Sequence, residues 1–358
     1  MMVYNDISRD ARVIRAAKAL KADYELTLYA VGELDEPAIS FVPVKNCKKI
    51  GGAVAQLKFV VGAIGSCLKR RPDIIYAHDI FSAVPMVLLR WLGLHAKYIY
   101  DAHELFLAEE HPNCGTIEKL QYWFEAEAIK SADLVICAQR ERAKIMAGRH
   151  GMSEEPVVIR NISYLQKSSE KKIPNEYAAF WDIPAFSVVY AGGFLKGRRL
   201  DCLISAIVQL GKGYKLMLVG DGPDYERLQG LLDKCGTENV VIRHSVPYAE
   251  LGELLACFDA GYLFYPNDTL NNRYCAPNKI FEYAGIGLPI IANENLTVEE
   301  ELVSYDIGVC ENDICKAIRQ VEKRKIEIKR NMQRYTEDNS LESEMEKLRL
   351  AVRGLFIK

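Results

Sequence analysis

Asp73-Ile74-Ile75-Tyr76-Ala77 is the stretch on which the fold turns. It is a short, nearly continuous apolar run with no polar alternation. A sheet with one wet face alternates polar and apolar residues, so a run like this one belongs to a strand covered by helices on both sides. The pattern spreads outward from it. After a short first strand, strands are expected at Tyr24–Ala30, Lys97–Asp101, Asp133–Ala138 and Pro156–Arg160. Helices are expected between them, at Asp10–Lys21, Val54–Lys69, Ala83–Leu92, Ile117–Ile129 and Gln139–Arg149. Strand and helix in alternation give a doubly wound parallel sheet.

The rhythm lapses between Asn161 and Ala185, where Lys167-Ser-Ser-Glu-Lys-Lys-Ile-Pro174 is polar and charged. It then restarts with strands at Ser187–Ala191, Lys215–Val219, Asn239–Arg243, Gly261–Tyr265 and Leu288–Ala292, and a last one near Gly308-Val309. Helices intervene at Leu200–Leu210, Asp224–Lys234, Ala249–Cys257 and Asn278–Ile286, and a charged helical tail follows Asp313. A chain of 358 residues exceeds one comfortable core. The expected organisation is therefore an N-terminal Rossmann-like domain over 1–165, a linker over 166–185 and a second Rossmann-like domain over 186–335. A C-terminal helix over 336–358 is expected to pack back on the first domain. Two such α/β domains facing each other would hold their ligands in one cleft, at the carboxyl ends of the strands.

Composition excludes several classes. With 46 basic against 48 acidic residues the net charge is −2, so a bulk nucleic-acid binder is not expected. The ten cysteines are scattered, without Cys-x-x-Cys spacing, and fit a reducing cytoplasm. No signal peptide and no membrane span are expected, since the first residues lack a basic and apolar leader pattern and apolar stretches carry charges or end short of a bilayer span. Val54–Arg71 is partly apolar and carries Lys58, Lys69, Arg70 and Arg71. Its plainer reading is a helix packed on the sheet; the other is a peripheral contact with an anionic membrane, at its inner face.

The chemistry concentrates in Asn271-Asn-Arg-Tyr-Cys-Ala-Pro-Asn-Lys-Ile-Phe-Glu-Tyr-Ala-Gly-Ile-Gly-Leu-Pro-Ile-Ile-Ala292. Pro277 opens a helix, and Gly285 and Gly287 close it. The unpaired N–H groups at its start suit a diphosphate. Lys279 adds a full charge in that first turn, and Glu282 follows at a distance suited to ribose hydroxyls. A second stretch, Val189-Tyr-Ala-Gly-Gly-Phe-Leu-Lys-Gly-Arg-Arg199, ends a strand in Gly192-Gly193, lets backbone approach a ligand, and supplies Lys196, Arg198 and Arg199. A third, Leu218-Val-Gly-Asp-Gly-Pro223, opens a loop at Gly220 and Gly222 before a helix at Pro223; plain turn chemistry is the simpler reading for Gly222 and Pro223.

Asn278-Lys-Ile-Phe-Glu-Tyr and the following Gly-Leu-Pro-Ile-Ile resemble the donor-site signature of family-four retaining glycosyltransferases, which have the GT-B architecture of two facing Rossmann-like domains. The resemblance implies transfer of a sugar from a nucleoside-diphosphate-sugar to a glycan or lipid-linked acceptor, as in surface polysaccharide or glycoconjugate assembly. It implies no metal and no cofactor beyond that co-substrate; no Asp-x-Asp element is present. Residue by residue, it gives Glu282 the ribose and the start Pro277-Asn278-Lys279 the diphosphate, with Arg198 on the leaving phosphate. Gly192 and Gly193 shape the turn there. The family's first arginine is absent at Gly193, and Lys196 or Arg273 stands in for it. Gly220 lies near base and ribose, Val246 meets the base through its backbone, and His103 touches the donor sugar. Tyr274 occupies the place where the family commonly has a glutamate on that sugar. In the first half, Asp6 or Ser8 is expected to cap the first helix; Arg9 and Arg12 either face the cleft or, the simpler reading for Arg12, are surface helix charges; His78 is either structural or a site residue.

Three rival readings remain. One is a nucleotide-sugar 2-epimerase of the same fold. Another, given Tyr274, is a silent scaffold that binds sugar nucleotides. A dehydrogenase is disfavoured, because Gly-x-Gly-x-x-Gly does not follow the opening strand.

Overall fold

The computed structural model describes residues 1–34, 36–37, 39–44, 51–165 and 178–357. They fall into two compact units, Met1–Asn161 with Leu341–Lys358, and Ile162–Ser340. The first contains β1 (Met2–Asp6), β2 (Thr27–Val31), β3 (Ser40–Pro43), β4 (Ile74–His78), β5 (Lys97–Ala102), β6 (Leu134–Cys137) and β7 (Val157–Val158). These form one parallel sheet in the order β3-β2-β1-β4-β5-β6-β7. The helices α1 (Ala11–Lys21), α2 (Gly52–Arg70), α3 (Asp79–Trp91), α4 (Thr116–Ser131) and α5 (Arg140–His150) alternate with the strands. As the sequence of β4 requires, Ile75, Tyr76, Ala77 and His78 are all buried.

The second unit begins with a short α6 (Ala178–Trp181) and repeats the scheme: β8 (Phe186–Ala191), α7 (Leu200–Leu210), β9 (Tyr214–Val219), α8 (Tyr225–Cys235), β10 (Val240–Arg243) and α9 (Tyr248–Leu255). There follow β11 (Ala260–Leu263), α10 (Leu270–Arg273), α11 (Asn278–Ile286), β12 (Ile290–Ala292), α12 (Leu296–Tyr305), β13 (Gly308–Cys310) and α13 (Ile314–Asp338). Its parallel sheet runs β10-β9-β8-β11-β12-β13. Strand order reverses between β1 and β4 in the first unit and between β8 and β11 in the second. The carboxyl ends of those pairs are where doubly wound sheets take ligands.

Several boundaries differ from expectation. The chain passes between the units at Asn161/Ile162 and again at Ser340/Leu341. Residues 336–340 thus end α13 and its turn in the second unit, and the closing helix is α14 (Leu341–Gly354) in the first. Leu348 and Val352 of α14 join the core cluster of Leu20, Tyr76 and Ile99. Each such burial contributes roughly 1.5–3 kcal/mol. Arg349 and Arg353 pair with Asp23 beside it. Residues 166–177 of the expected linker lie outside the described residues. Its end is packed: Phe180 is buried, and Lys215 donates to the carbonyls of Phe180 and Ile183 at 3.0 and 2.8 Å, capping α6. The α1 cap also differs. Asp10 accepts from the Val13 N–H at 3.1 Å, while Asp6 caps the preceding short turn through Ser8.

Candidate functional site

In the second unit the loops after β8 and β9 are pressed together, which explains the glycines. A Cβ on Gly220 would lie 1.9 Å from the Gly192 carbonyl oxygen, and one on Gly222 would lie 2.4 Å from that of Phe194. Both have positive φ, +158° and +154°. Gly220 and Gly222 are therefore needed for loop-to-loop contact. Gly192, also at positive φ (+153°), leaves room for a different group: its Cβ would meet Lys279 Cε at 2.9 Å. Gly193 is exposed, its carbonyl accepting from Tyr190 Oη at 2.8 Å.

Lys279 reaches that gap from the first turn of α11. Pro277 is the N-cap and brings no side-chain cap, and the Ile280 N–H turns back to the Pro277 carbonyl at 3.4 Å. Lys279 Nζ stands 3.8 Å from Glu282 Oε2, and both side chains are largely withdrawn from solvent. Burial lowers the Lys279 ammonium below its ordinary value; Glu282 opposes this, and the nearby Arg198 adds to it. Two cations near one another, with one buried carboxylate beside Lys279, make a place where added negative charge is favoured. Arg198 comes from the short turn Lys196–Arg198 after β8. Its guanidinium donates to the Phe264 carbonyl at 2.6 Å and lies over the Tyr265 ring, 4.2 Å from the centroid. The β11 end thus holds a β8 cation at the sheet's switch point. Lys196 is exposed on the same turn.

Arg273 and Tyr274 lie on the loop between β11 and α11. Arg273 is exposed and points its guanidinium to the Asn267 carbonyl at 3.4 Å, within its own loop. Tyr274 is half-buried at the end of α10. Two asparagines that sequence reasoning missed fix this loop. Asn293 accepts from the Tyr265 N–H at 2.9 Å and returns a bond to its carbonyl at 2.7 Å. Asn295, wholly buried, donates to Asn267 Oδ1 at 3.1 Å and to the Asn272 carbonyl at 3.0 Å, and caps α12 through Val298. The signal was available in Ile291-Ala-Asn-Glu-Asn295, two amides at the carboxyl end of a buried strand.

A third patch lies beyond β10. Asp221 accepts from Ser245 N–H and pairs with His244; the Ser245 and His244 bonds hold its carboxyl down at about 2. The His244 ring stacks on Tyr225 at 4.4 Å and 3°, and Tyr225 on Phe194 at 5.7 Å and 20°. Val246 follows, half-buried, in an irregular segment. This tier of rings beside Gly220 was not foreseen.

In the first unit His103 lies just past β5, and here one expectation is overturned. Arg12 is no surface charge. Its guanidinium grips Asp101 with two bonds, at 2.6 and 3.3 Å, with only 11% of its side chain exposed. Tyr76 Oη donates to the same carboxylate at 3.1 Å, and His78 Nδ1 lies 3.3 Å from it and 3.3 Å from His103 Nε2. Burial works to raise Asp101, but Arg12 and the His78 bond overcome it and hold it below the usual carboxylate range. Burial lowers His78 to about 4, so its buried ring is neutral. His78, Asp101 and His103 bring ligand-type atoms within 4.8 Å of one another. The carboxylate is already satisfied by Arg12 and Tyr76, which argues against a cation there. Arg142 adds support, donating to the His103 carbonyl at 3.1 Å and pairing with Glu104. Asp79 next door holds φ +64°, a strained value for its type. A cavity of about 590 Å³ opens in this unit against Met1, Thr27, Cys67 and Ile74; of the cluster's residues Tyr76 borders it, while Arg12, His78, Asp101 and His103 do not.

Two parallel sheets with alternating helices and basic strand ends at the switch point define the two-domain GT-B class. The chain superposes on sucrose-phosphate synthase from Thermosynechococcus elongatus with a TM-score of 0.75 at 15% identity, covering 96% of this chain and 92% of that one. It superposes on HepE of Anabaena, determined with UDP and glucose, with a TM-score of 0.73 at 16% identity, over 99% and 98%. A protein of Listeria monocytogenes assigned as a UDP-N-acetylglucosamine 2-epimerase shares the fold at TM-score 0.63 and 10% identity, over 100% and 96%. No curated protein sequence matches the chain. Residues 11–162 match the model of Glycosyltransferase Family 4.

Proposed function

We propose that this protein is a retaining glycosyltransferase that moves a sugar from a nucleoside-diphosphate-sugar to a glycan or lipid-linked acceptor, without a metal. The observation that carries the reading is Lys279 in the first turn of α11, set against Gly192 and within electrostatic reach of Arg198, with Glu282 buried one turn on. In this reading the diphosphate accepts from the helix N–H groups, and Lys279 and Arg198 neutralise the charge that grows on it as the sugar–phosphate bond breaks. Glu282 accepts from the ribose hydroxyls. The ring tier at Phe194, Tyr225 and His244, with the backbone of Val246, borders the base. Gly193, Lys196, Arg273 and Asn278 flank the phosphates, and Tyr274 the donor's sugar end. His103 keeps the sugar contact that the resemblance implies. No pair of carboxylates with double-displacement roles is present among these residues, which favours a route with departing diphosphate and incoming acceptor on one face of the sugar.

HepE, in its complex with UDP and glucose, supports a uridine-type donor as the first to try. The work we assign is surface polysaccharide or glycoconjugate assembly at the cytoplasmic face of a membrane. Calorimetric titration in EDTA with UDP, GDP, ADP and TDP tests the donor site. One nucleotide should bind selectively, and Glu282→Ala should weaken it about tenfold or more, the cost of a lost charged hydrogen bond. Binding unchanged by Glu282→Ala for every nucleotide would falsify the ribose contact. The fold shared with an assigned 2-epimerase keeps a second reading. Interconversion of a free nucleotide sugar at C2, followed by NMR without acceptor, would select that one.

A further inference from the structure

Helix α2 presents two faces. On the inner one, Phe59 and Ala63 are buried, and the Phe59 ring packs against Tyr4 at 5.3 Å and Tyr29 at 5.7 Å. Gly62 lies so close to β2 that a Cβ there would fall 1.9 Å from Tyr29 Oη. On the outer face Val54, Leu57, Val61 and Leu68 follow a three-four spacing and are 68, 63, 61 and 44% exposed. By length and composition alone α2 could cross a bilayer. The close seat at Gly62 and Phe59 binds it to its own sheet instead, so the outer stripe can lie along an interface but not span it.

The stripe continues onto neighbouring helices. Gln121 of α4 donates to Gln56 of α2 at 3.2 Å, joining the two. Past that joint α4 exposes Leu120 (54%) and Trp123 (48%), and the Trp123 ring lies 5.9 Å from Trp91 of α3, itself 60% exposed. Indole rings exposed side by side beside an aliphatic stripe suit a lipid interface, where one edge is apolar and the other wet. Charge selects the lipid. Helix α2 carries Lys58, Lys69 and Arg70, Arg71 is its C-cap, and it has no acidic residue. Lys58 shares the outer spacing with Val54 and Val61. On α4, Glu118 is turned back to the Gly115 N–H at 2.6 Å. A second copy of the chain fits poorly, since a two-fold pairing of this face would bring like charges together.

We infer that the outer face of α2, extended by Leu120, Trp123 and Trp91, docks the protein on an anionic lipid surface. The inference deepens the lipid-linked-acceptor reading, yet it uses no residue of the donor site. The test is co-sedimentation of the full chain with phosphatidylcholine vesicles, with and without about 40 mol % phosphatidylglycerol. Binding to the anionic vesicles should exceed that to neutral ones about tenfold, and raising salt from about 0.1 to about 0.5 M should remove most of it. Val61→Glu, at an exposed position, should lower partitioning about tenfold while nucleotide binding in the same preparation stays as it was. Folded protein that ignores anionic vesicles, or Val61→Glu binding like the parent, overturns the inference and leaves the donor site untouched. A dimer in sedimentation velocity that Val61→Glu dissolves, with no vesicle binding, assigns the face to a second copy instead.

Discussion

The two units share a parallel doubly wound sheet and a switch point, but they treat charge at the strand ends in opposite ways. In the second, Lys279 stands 3.8 Å from one buried carboxylate and Arg198 spends its best bond on a backbone carbonyl, so positive charge exceeds negative there. In the first, Arg12 is matched by Asp101 with two bonds, and Tyr76 and His78 complete the carboxylate's shell. An unbalanced cation cluster is prepared for an anionic ligand; a balanced one is finished as it stands and serves to hold neighbours. The same topology thus supplies an end with excess positive charge in one unit and a neutralised end, carrying His103, in the other.

The largest effect should come from breaking the finished network. Arg12→Ala strands a buried carboxylate and should cost about 3–5 kcal/mol of stability in the first unit, read by denaturant unfolding. If stability holds and only donor turnover falls, Arg12 belongs to the site and the contrast collapses. Lys279→Ala should do the reverse. Relief of a buried cation offsets the stranding of Glu282, so stability should move by no more than about 1 kcal/mol. Nucleotide-dependent transfer, by contrast, should fall about 10²–10³-fold in kcat/KM, roughly 3–4 kcal/mol. Equal loss of stability in both variants would mean that Lys279 is structural too.

A smaller effect should fall on the loop between β11 and α11. Asn295→Ala removes bonds to Asn267 and Asn272 from a fully buried amide and should cost about 2 kcal/mol of stability. Since the loop carries Arg273 and Tyr274, KM for the donor should rise more than kcat falls. Asn295→Asp keeps the acceptor to the Val298 N–H but loses the donors, and should rescue little.

What the sequence disclosed follows from the range of each interaction. Strands such as Ile74–His78 and Phe186–Ala191 declare burial by composition, a property of one residue at a time. Helix α11 was legible to its ends because Pro277 and Gly287 mark them locally. The β3 strand, Ser-Phe-Val-Pro, was missed: it is short, at a sheet edge and only half-buried, so no apolar run distinguishes it. Helix α12 was missed because Asn293-Glu-Asn295 reads as a turn until its amides find the far loop. Arg12 was misjudged for the clearest reason. Its partner lies 89 positions away, and periodicity says which way a side chain points without saying what waits there. The ring tier of Phe194, Tyr225 and His244 has the same two-body character.

The subtlest effect lies within the first unit and concerns pH. Glu125 in α4 is buried and accepts from Tyr100 Oη at 2.7 Å; burial raises its carboxyl from 4.5 to about 8. At neutral pH it is protonated when folded and ionised when unfolded. The folded state therefore binds the extra proton, and this contribution to stability, complete below pH 4.5, is lost as pH rises toward 8. His78 acts oppositely: lowered to about 4, it costs stability as pH falls below 6.5, because the unfolded chain takes up protons first. Glu125→Gln keeps an uncharged acceptor for Tyr100 at every pH. The variant should match the parent near pH 4.5 and gain on it steadily to pH 8, by about 1 kcal/mol after allowing for relaxation of the buried site. Parallel stability curves across that range would show Glu125 already ionised in the folded protein, and the first unit would then hold an uncompensated buried charge of its own.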